Sequence, residues 1–373
     1  MVTLKEVQTK KELKDFVKFP FKIYKDCKQW TPPIISEEIE SFNKQENPVF
    51  KNADARLFLC FRDNEIVGRI AAIINWVEVK EQKIKKMRFG WCDFIDDLEV
   101  SQALFDTVQD IGKKHDLEFV EGPVGFSNLD KVGVVTEGFD TIALMVTWYN
   151  HPYYAKHYEA SGFKIEKEYV ETKIPFTNIN KDVFYKVQDL IKRRYKLRAI
   201  NFTKTSEVMP YVDEMFELFN ISYASLPSFV PVSDEQIAYF KKKFISFVNP
   251  EYIKFVVDSQ NALIGFAIVM PSFAKALQKA KGKLFPFGFT HILHAKKYGK
   301  DAVFYLIGVR PDYQNKGVHS IIFNEYHELF IKKGIKMCYR TPELENNEAA
   351  RKIWRHFTSE TYRKRKTFKK NIK

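Results

Sequence analysis

The residues whose types and order promise chemistry lie in one stretch, Val309-Arg310-Pro311-Asp312-Tyr313-Gln314-Asn315-Lys316-Gly317-Val318-His319, between an apolar run and an amphipathic pattern. A strand that ends in a polar turn and enters a helix offers the unpaired N–H groups of the first helical turn, and the helix dipole adds partial positive charge. Gly317 removes a side chain that would hinder close approach, and Lys316 adds a formal charge. The chemistry expected there is anion binding, with a pyrophosphate as a fitting ligand. Other chemistries lack their residues. No G-x-x-x-x-G-K-[ST], H-E-x-x-H or G-x-S-x-G occurs, and the histidines are scattered. His291 and His294 have i, i+3 spacing with no carboxylate beside them. Cys27, Cys60, Cys92 and Cys338 form no C-x-x-C pair and read as reduced core residues, so no metal is expected.

With its flanking strand and helix, the turn resembles the GNAT superfamily of acyl-CoA N-acyltransferases, whose signature is an apolar strand, Q/R-x-x-G-x-G/A, then a helix. Gln314, Asn315, Lys316 and Gly317 match it, and His319 stands where the family has Gly or Ala. The resemblance implies that acetyl-CoA or another acyl-CoA is held by Ile307, Gly308, Val309, Gln314, Asn315, Lys316, Gly317, Val318 and His319. It also implies a pantetheine contact at Asn347, which with Ala350 opens the next helix. The family's usual Tyr acid falls at Trp354, whose N–H does not ionise near neutral pH, so the catalytic acid stays unassigned. His356, Tyr339 and Tyr362 are nearby candidates, each more often structural than catalytic.

The resemblance extends over most of the chain. Phe19-Pro20-Phe21-Lys22-Ile23-Tyr24, Asn47-Pro48-Val49-Phe50, Val67 to Ile73, Leu284 to Gly288 and Tyr149 to Tyr154 are similar to a bacterial group of GNAT-type proteins of similar length. Tyr158-x-x-x-Gly162-Phe163 resembles the close of a GNAT domain in the first half. There the strand 87–95 runs into Asp96-Asp97-Leu98-Glu99, and carboxylates at a helix start repel phosphate. The first domain is therefore expected to be a GNAT-like copy without a cofactor site. In tandem proteins of this superfamily such a copy often walls the acceptor pocket, which makes Ser127, Asn128, Tyr149 and Asn150 the expected substrate contacts, against the plainer reading of a capped surface loop.

The positioning elements repeat. Two strand-like runs, 57–61 and 66–74, flank Arg62-Asp63-Asn64-Glu65, and two more, 252–257 and 263–270, flank Asp258-Ser259-Gln260-Asn261, each followed by an aliphatic residue and Gly68 or Gly265. Helical spacing appears at Val100, Leu104, Val108 and Ile111, over 153–161, 208–219 and 234–248, and over 317–332 and 346–357; strands are expected at 303–309 and 336–339. This order predicts two copies of one fold, and the resemblance implies an α+β chain of two tandem GNAT-like domains, each a mixed, largely antiparallel sheet flanked by helices. The division expected is 1–178 and 179–373, with 179–197 a linker helix apolar at Val183, Val187, Leu190 and Ile191.

With 60 Lys+Arg against 47 Asp+Glu, the formal charge of +13 favours anionic partners without choosing among them. Pro271 to Lys300 holds seven of the lysines and no acid. The runs Lys192-Arg193-Arg194-Tyr195-Lys196 and Arg363-Lys364-Arg365-Lys366 read as solvated helix and strand faces, with nucleic-acid contact the rarer alternative. The longest apolar run, Ala262 to Met270, is half of the roughly 18–20 residues a span needs, and Met1 to Phe16 lacks a secretory signal's apolar block, so a cytoplasmic protein without a membrane span is expected.

The activity the resemblance implies is direct acyl transfer from acyl-CoA, acetyl-CoA by default, to a small-molecule or peptide amine. The amine proton goes to a carboxylate or water, and the oxyanion to backbone N–H at the end of strand 303–309. Two alternatives stand beside it: an aminoacyl-tRNA-dependent transferase of tandem-GNAT type, to which the surplus charge is suited, and a non-catalytic CoA-binding or regulatory protein, which Trp354 permits. Acceptor and oligomeric state are not legible.

Overall fold

The computed structural model describes all residues except Asn180, Ser246, Phe247, His356 and Lys373. The first half carries β1 (Thr3–Glu6), α1 (Lys10–Ile23), α2 (Ile35–Ser41), β2 (Ala53–Arg62), β3 (Glu65–Asn75), β4 (Lys86–Phe94), α3 (Leu98–Lys114), β5 (Phe119–Gly122), β6 (Val134–Glu137), α4 (Tyr153–Ala160) and β7 (Lys164–Pro175). There follow α5 (Lys181–Tyr195), β8 (Arg198–Asn201), α6 (Thr205–Val208), α7 (Val212–Tyr223), α8 (Asp234–Phe240), β9 (Ile253–Val257), β10 (Leu263–Pro271), α9 (Ala274–Ala280) and α10 (Gly288–Tyr298). The chain closes with β11 (Asp301–Val309), α11 (Val318–Lys333), β12 (Met337–Arg340), β13 (Glu343–Leu344), α12 (Glu348–Trp354) and β14 (Glu360–Asn371).

Both expected hairpins form. Asp63 and Asn64 sit at φ 50° and 66°, left-handed values that a two-residue turn between twisted strands requires and that Asp and Asn tolerate. The paired glycines have a shared reason. A Cβ at Gly68 would lie 2.9 Å from Leu104, and one at Gly265 would meet Val318 at 3.4 Å, so each glycine lets a helix, α3 or α11, settle on its strand. The 234–248 helix ends as α8 at Phe240 and continues as a wider turn over Lys241–Ile245, beyond which the expectation falls partly outside the described residues.

The chain divides into two compact units, and neither is continuous in sequence. Unit 1 comprises Met1–Val170, Ala274–Ile292 and Tyr362–Lys373; unit 2 comprises Glu171–Phe273 and Leu293–Thr361. This differs from contiguous halves meeting at 178/179, because the closing strands are exchanged. In unit 1 the order is β1-β2-β3-β4-β5-β14, with Phe368 of β14 opposite Gly122 and stacked on Tyr158 at 4.9 Å. In unit 2 it is β8-β9-β10-β11-β12-β7, with Ile174 of β7 opposite Cys338 and inside the apolar cluster around Phe304. All neighbours are antiparallel except β4–β5 and β11–β12, which are parallel.

Strand exchange also corrects the reading of the basic tail. β14 alternates sides with period two, so Lys364 and Lys366 reach the carboxylates of Glu137 and Glu168, while Arg363 and Arg365 are fully buried. Arg365 donates to the carbonyls of Gly133 at 3.2 Å and Trp148 at 2.6 Å, and Arg363 to those of Gly138 at 3.1 Å and Thr141. These guanidiniums tie loop backbone together and face no nucleic acid.

Unit 1 holds a second buried charge cluster. Arg88 grips Glu78 through two bonds of 2.6 and 2.7 Å, Lys86 lies 2.6 Å from Glu78 and 3.3 Å from Glu121, and Lys167 also reaches Glu121. Burial raises the cost of both carboxylates, yet the surrounding cations outweigh it and hold both below the usual carboxylate range. Cys60, Cys92 and Cys338 are buried as expected, and burial pushes the Cys60 thiol up to about 11.

Candidate functional site

In unit 2 the parallel ladder between β11 and β12 covers only Asp301–Phe304 against Met337–Arg340. β11 continues to Val309, paired with β10 alone, and so turns an edge of backbone away from its former neighbour. Side chains meet that edge. The Tyr223 hydroxyl, delivered by the last residue of α7, donates to the Ile307 carbonyl at 3.0 Å and accepts from the Ile307 N–H at 3.4 Å. Ser222 and Gln314 both donate to the Val309 carbonyl at 3.2 Å. Thr341 completes the set, its hydroxyl donating to the Tyr305 carbonyl at 3.5 Å and its backbone N–H to that of Phe304 at 3.4 Å.

From the last residue of β12, Arg340, an ion pair that no sequence motif announced reaches Glu343. The guanidinium lies 4.5 Å over the Trp354 ring. Burial pushes the Glu343 carboxyl above its ordinary range, and Arg340 only partly offsets it. Burial, with the Glu343 charge adding to it, pushes the Tyr223 phenol up to about 12, so the hydroxyl keeps its proton through neutral pH. A carboxyl with raised proton affinity and a protonated phenol beside an unpaired strand edge can accept and donate protons at a carbonyl addressed by that edge. The trace available in sequence was the bare Arg-x-x-Glu spacing at the end of an apolar strand.

The anion turn forms where expected, through a single turn at Pro311–Tyr313 into α11. Asn315 and Gly317 take left-handed φ values of 59° and 81°, which swing the chain into the helix and leave Gly317 as its N-cap. Gln314, Asn315 and Lys316 are exposed, and the Lys316 ammonium lies 5.1 Å from the Tyr313 ring and 5.4 Å from that of Tyr195. Arg310 is turned back on Asp312 at 2.7 and 2.9 Å. Val309 and Val318 are core residues, His319 packs 6.0 Å from Phe323, and a Cβ at Gly308 would strike Phe266 at 2.4 Å.

The structure adds a neighbour to this turn. A Cβ at Gly317 would lie 3.3 Å from Ile191 and 3.8 Å from Val187, so helix α5 covers the side of the glycine that a free turn presents to a ligand. The expected apolar face of α5 is also rotated: Phe184, Gln188 and Ile191 are buried, while Val187 and Leu190 are exposed. Charge and backbone fit a phosphate on the side of Gln314 to Lys316, and the space on the α5 side is taken.

Asn347 caps α12, its side-chain oxygen accepting from the Ala350 N–H at 3.0 Å. Trp354 is core, 5.0 Å from Phe304 and 4.9 Å from Phe323. Tyr339 lies in β12, Tyr362 is buried in unit 1, and His356 falls outside the described residues. The four residues expected to touch substrate belong to unit 1 and have local work. Asn150 accepts from Val135 N–H at 2.6 Å and donates to Val135 and His151 carbonyls at 3.1 and 3.0 Å, pinning β6. Tyr149 donates to Phe139, Ser127 binds Asp130, and Asn128 is exposed on the same loop.

The corresponding helix start in unit 1 is closed. Asp97 accepts the N–H groups of Glu99 at 2.9 Å and Val100 at 3.3 Å, and Arg62 binds both Asp97 and Glu99. The edge of β4 is closed too, since Val124 N–H bonds to Phe89 and a Cβ at Gly90 would lie 2.5 Å from the Val124 carbonyl. Among the described residues no group of metal-ligating side chains is assembled.

No family model matches the chain. It is 25% identical over 370 residues to Protein YghO of Escherichia coli, covering 97% of this chain and 94% of that protein. It is 24% identical over 320 residues to the bacterial ceramide synthase of Caulobacter vibrioides, covering 83% and 80%. Among solved structures, a tandem GNAT protein from the clavulanic acid biosynthesis pathway superposes with a TM-score of 0.61 at 10% identity, over 100% of this chain and 99% of that one. A GCN5-related N-acetyltransferase from Sphaerobacter thermophilus gives 0.52 at 8% identity, over 100% and 96%. With one strand order in both units, each with a parallel pair that parts ahead of the turn into a helix, this chain has the tandem GNAT acyltransferase fold.

Proposed function

We propose that unit 2 transfers an acyl group from an acyl thioester, acyl-CoA with acetyl-CoA as its simplest form, to an amine. The observation that carries this reading is the juxtaposition of Tyr223 and Glu343 with the edge of β11 that β12 leaves unpaired, beyond the end of which lies a cationic turn. The donor supplies the electrophilic carbonyl. Lys316 and the first-turn N–H groups of α11 hold its phosphates on the open side of the turn. Glu343, oriented by Arg340, accepts the amine proton as the C–N bond forms, and the Tyr223 hydroxyl gives its proton to the thiolate as the C–S bond breaks. The Ile307 N–H, which donates to the Tyr223 hydroxyl at 3.4 Å, becomes the backbone donor for the carbonyl oxygen only as that hydroxyl turns to the thiolate. Unit 1, with its helix start capped by Asp97, takes no part in holding the donor.

The relative named for ceramide synthesis directs the acceptor search. A ceramide carries its acyl group on the nitrogen of a long-chain amino alcohol, so that class of amine, with donors from acetyl to long-chain acyl-CoA, forms the panel of choice. Titration calorimetry with CoA and acetyl-CoA, followed by thiol release across the panel, tests the reading. A folded protein that gives no heat and no thiol release removes it, and a salt-steep tRNA complex without CoA binding would favour aminoacyl-tRNA as donor instead.

A further inference from the structure

Among the described residues no helix is long and apolar enough to cross a membrane, yet one segment presents apolar side chains outward. Phe285 is 77% exposed, Phe287 72%, Leu293 56%, Tyr298 53% and Phe289 37%. In α10 Phe289 and Leu293, one turn apart, face solvent along with Thr290, His294 and Lys297, while Ile292 is buried. Phe285 and Phe289 contact each other, ring centroids 5.7 Å apart. A contiguous apolar patch of this kind on a folded surface marks an interaction site.

Charge selects the partner. From Pro271 to Lys300 there are seven lysines, no arginine and no acid, and Lys275, Lys279, Lys281, Lys283, Lys297 and Lys300 are exposed. Phe and Leu carry no polar group with which to read a base edge, whereas hydrocarbon accepts them and headgroup phosphates accept the ammoniums of a segment that has no acid. We propose that residues 281–298 dock the protein on an anionic lipid surface, with Phe285, Phe287, Phe289 and Leu293 entering the headgroup boundary and the lysines above it. The patch lies on one short continuous segment and needs neither a bound donor nor the transfer reaction, so it stands or falls apart from the function proposed above.

Flotation of the full chain with vesicles of phosphatidylcholine containing about 30% phosphatidylglycerol, and with phosphatidylcholine alone, tests it. Binding to the anionic vesicles at low salt is expected, weakening roughly fivefold for each lysine neutralised near the surface. The double variant F285S/F287S is expected to bind about tenfold more weakly with an unchanged melting temperature, and K281E/K283E to lose the preference for anionic vesicles. Absence of flotation with anionic vesicles, equal flotation of wild type and F285S/F287S, or a tRNA complex that the phenylalanine variants weaken while vesicles are ignored would each overturn it.

Discussion

Tyr223→Phe separates chemistry from architecture at the candidate site. The hydroxyl serves both the carbonyl and the N–H of Ile307, at 3.0 and 3.4 Å, on a strand edge with no other strand beside it. Its removal leaves those groups without the phenol, a loss of about 1–3 kcal/mol. For a unit of this size that lowers the melting temperature by roughly 3–10 °C. If the phenol also protonates the departing thiolate, kcat falls a further ~100-fold or more, beyond any loss of folded protein. Thiol-release kinetics at a temperature where the variant is fully folded, with the melting curve measured alongside, read the two effects separately. A Tyr223→Phe protein that melts lower but keeps kcat within about threefold of the parent would refute the catalytic assignment and leave Tyr223 as a brace of β11.

Glu343→Gln is expected to abolish the acid limb of kcat/KM. In the parent that limb lies above the ordinary carboxylate value of 4.5, because burial raises the carboxyl and activity is lost as pH falls through the raised value. The same raised value means that this group's share of stability is present at acid pH and lost as pH rises through it. Lys316→Glu is expected to weaken CoA binding by about tenfold or more in calorimetry while leaving the melting temperature in place, since its ammonium is exposed on the turn. Glu78→Gln leaves Lys86 and Arg88 buried without their shared carboxylate and is expected to cost about 3–5 kcal/mol in urea unfolding. In the parent, Glu78 and Glu121 are held low, so their contribution is present above pH 4.5 and lost as pH falls through the folded values, which acid titration followed by circular dichroism reads.

Much of the fold was legible because its signals are local. Asp63 and Asn64 between alternating runs announce the hairpin, Gly68 and Gly265 repeat because each admits a helix, and Asn315 with Gly317 supply the left-handed residues that lead β11 into α11. At the start of α3 the sequence shows carboxylates that repel phosphate, and folding adds that Asp97 caps the N–H groups of Glu99 and Val100. A polar residue amid aromatics looks the same in sequence whether it meets a ligand or the backbone, and Asn150 bonds to the backbone of β6.

What the amino-acid sequence determined by itself is the periodicity of each strand and helix, the turn that carries Lys316, and the tandem order of elements, all consequences of interactions within a few residues. Only the tertiary structure decided which strand closes which sheet. β7 and β14 carry an ordinary strand pattern, and their partners β12 and β5 lie far away in the chain, so Arg363 and Arg365 look solvated until β14 is seen in unit 1 with loop carbonyls around both guanidiniums. Tertiary structure likewise brought Tyr223 to Ile307 and set Ile191 against Gly317, separations of 84 and 126 residues that no local pattern encodes. The acid–base character of Glu343 arises there too, because its carboxyl gains proton affinity from burial, which folding alone creates.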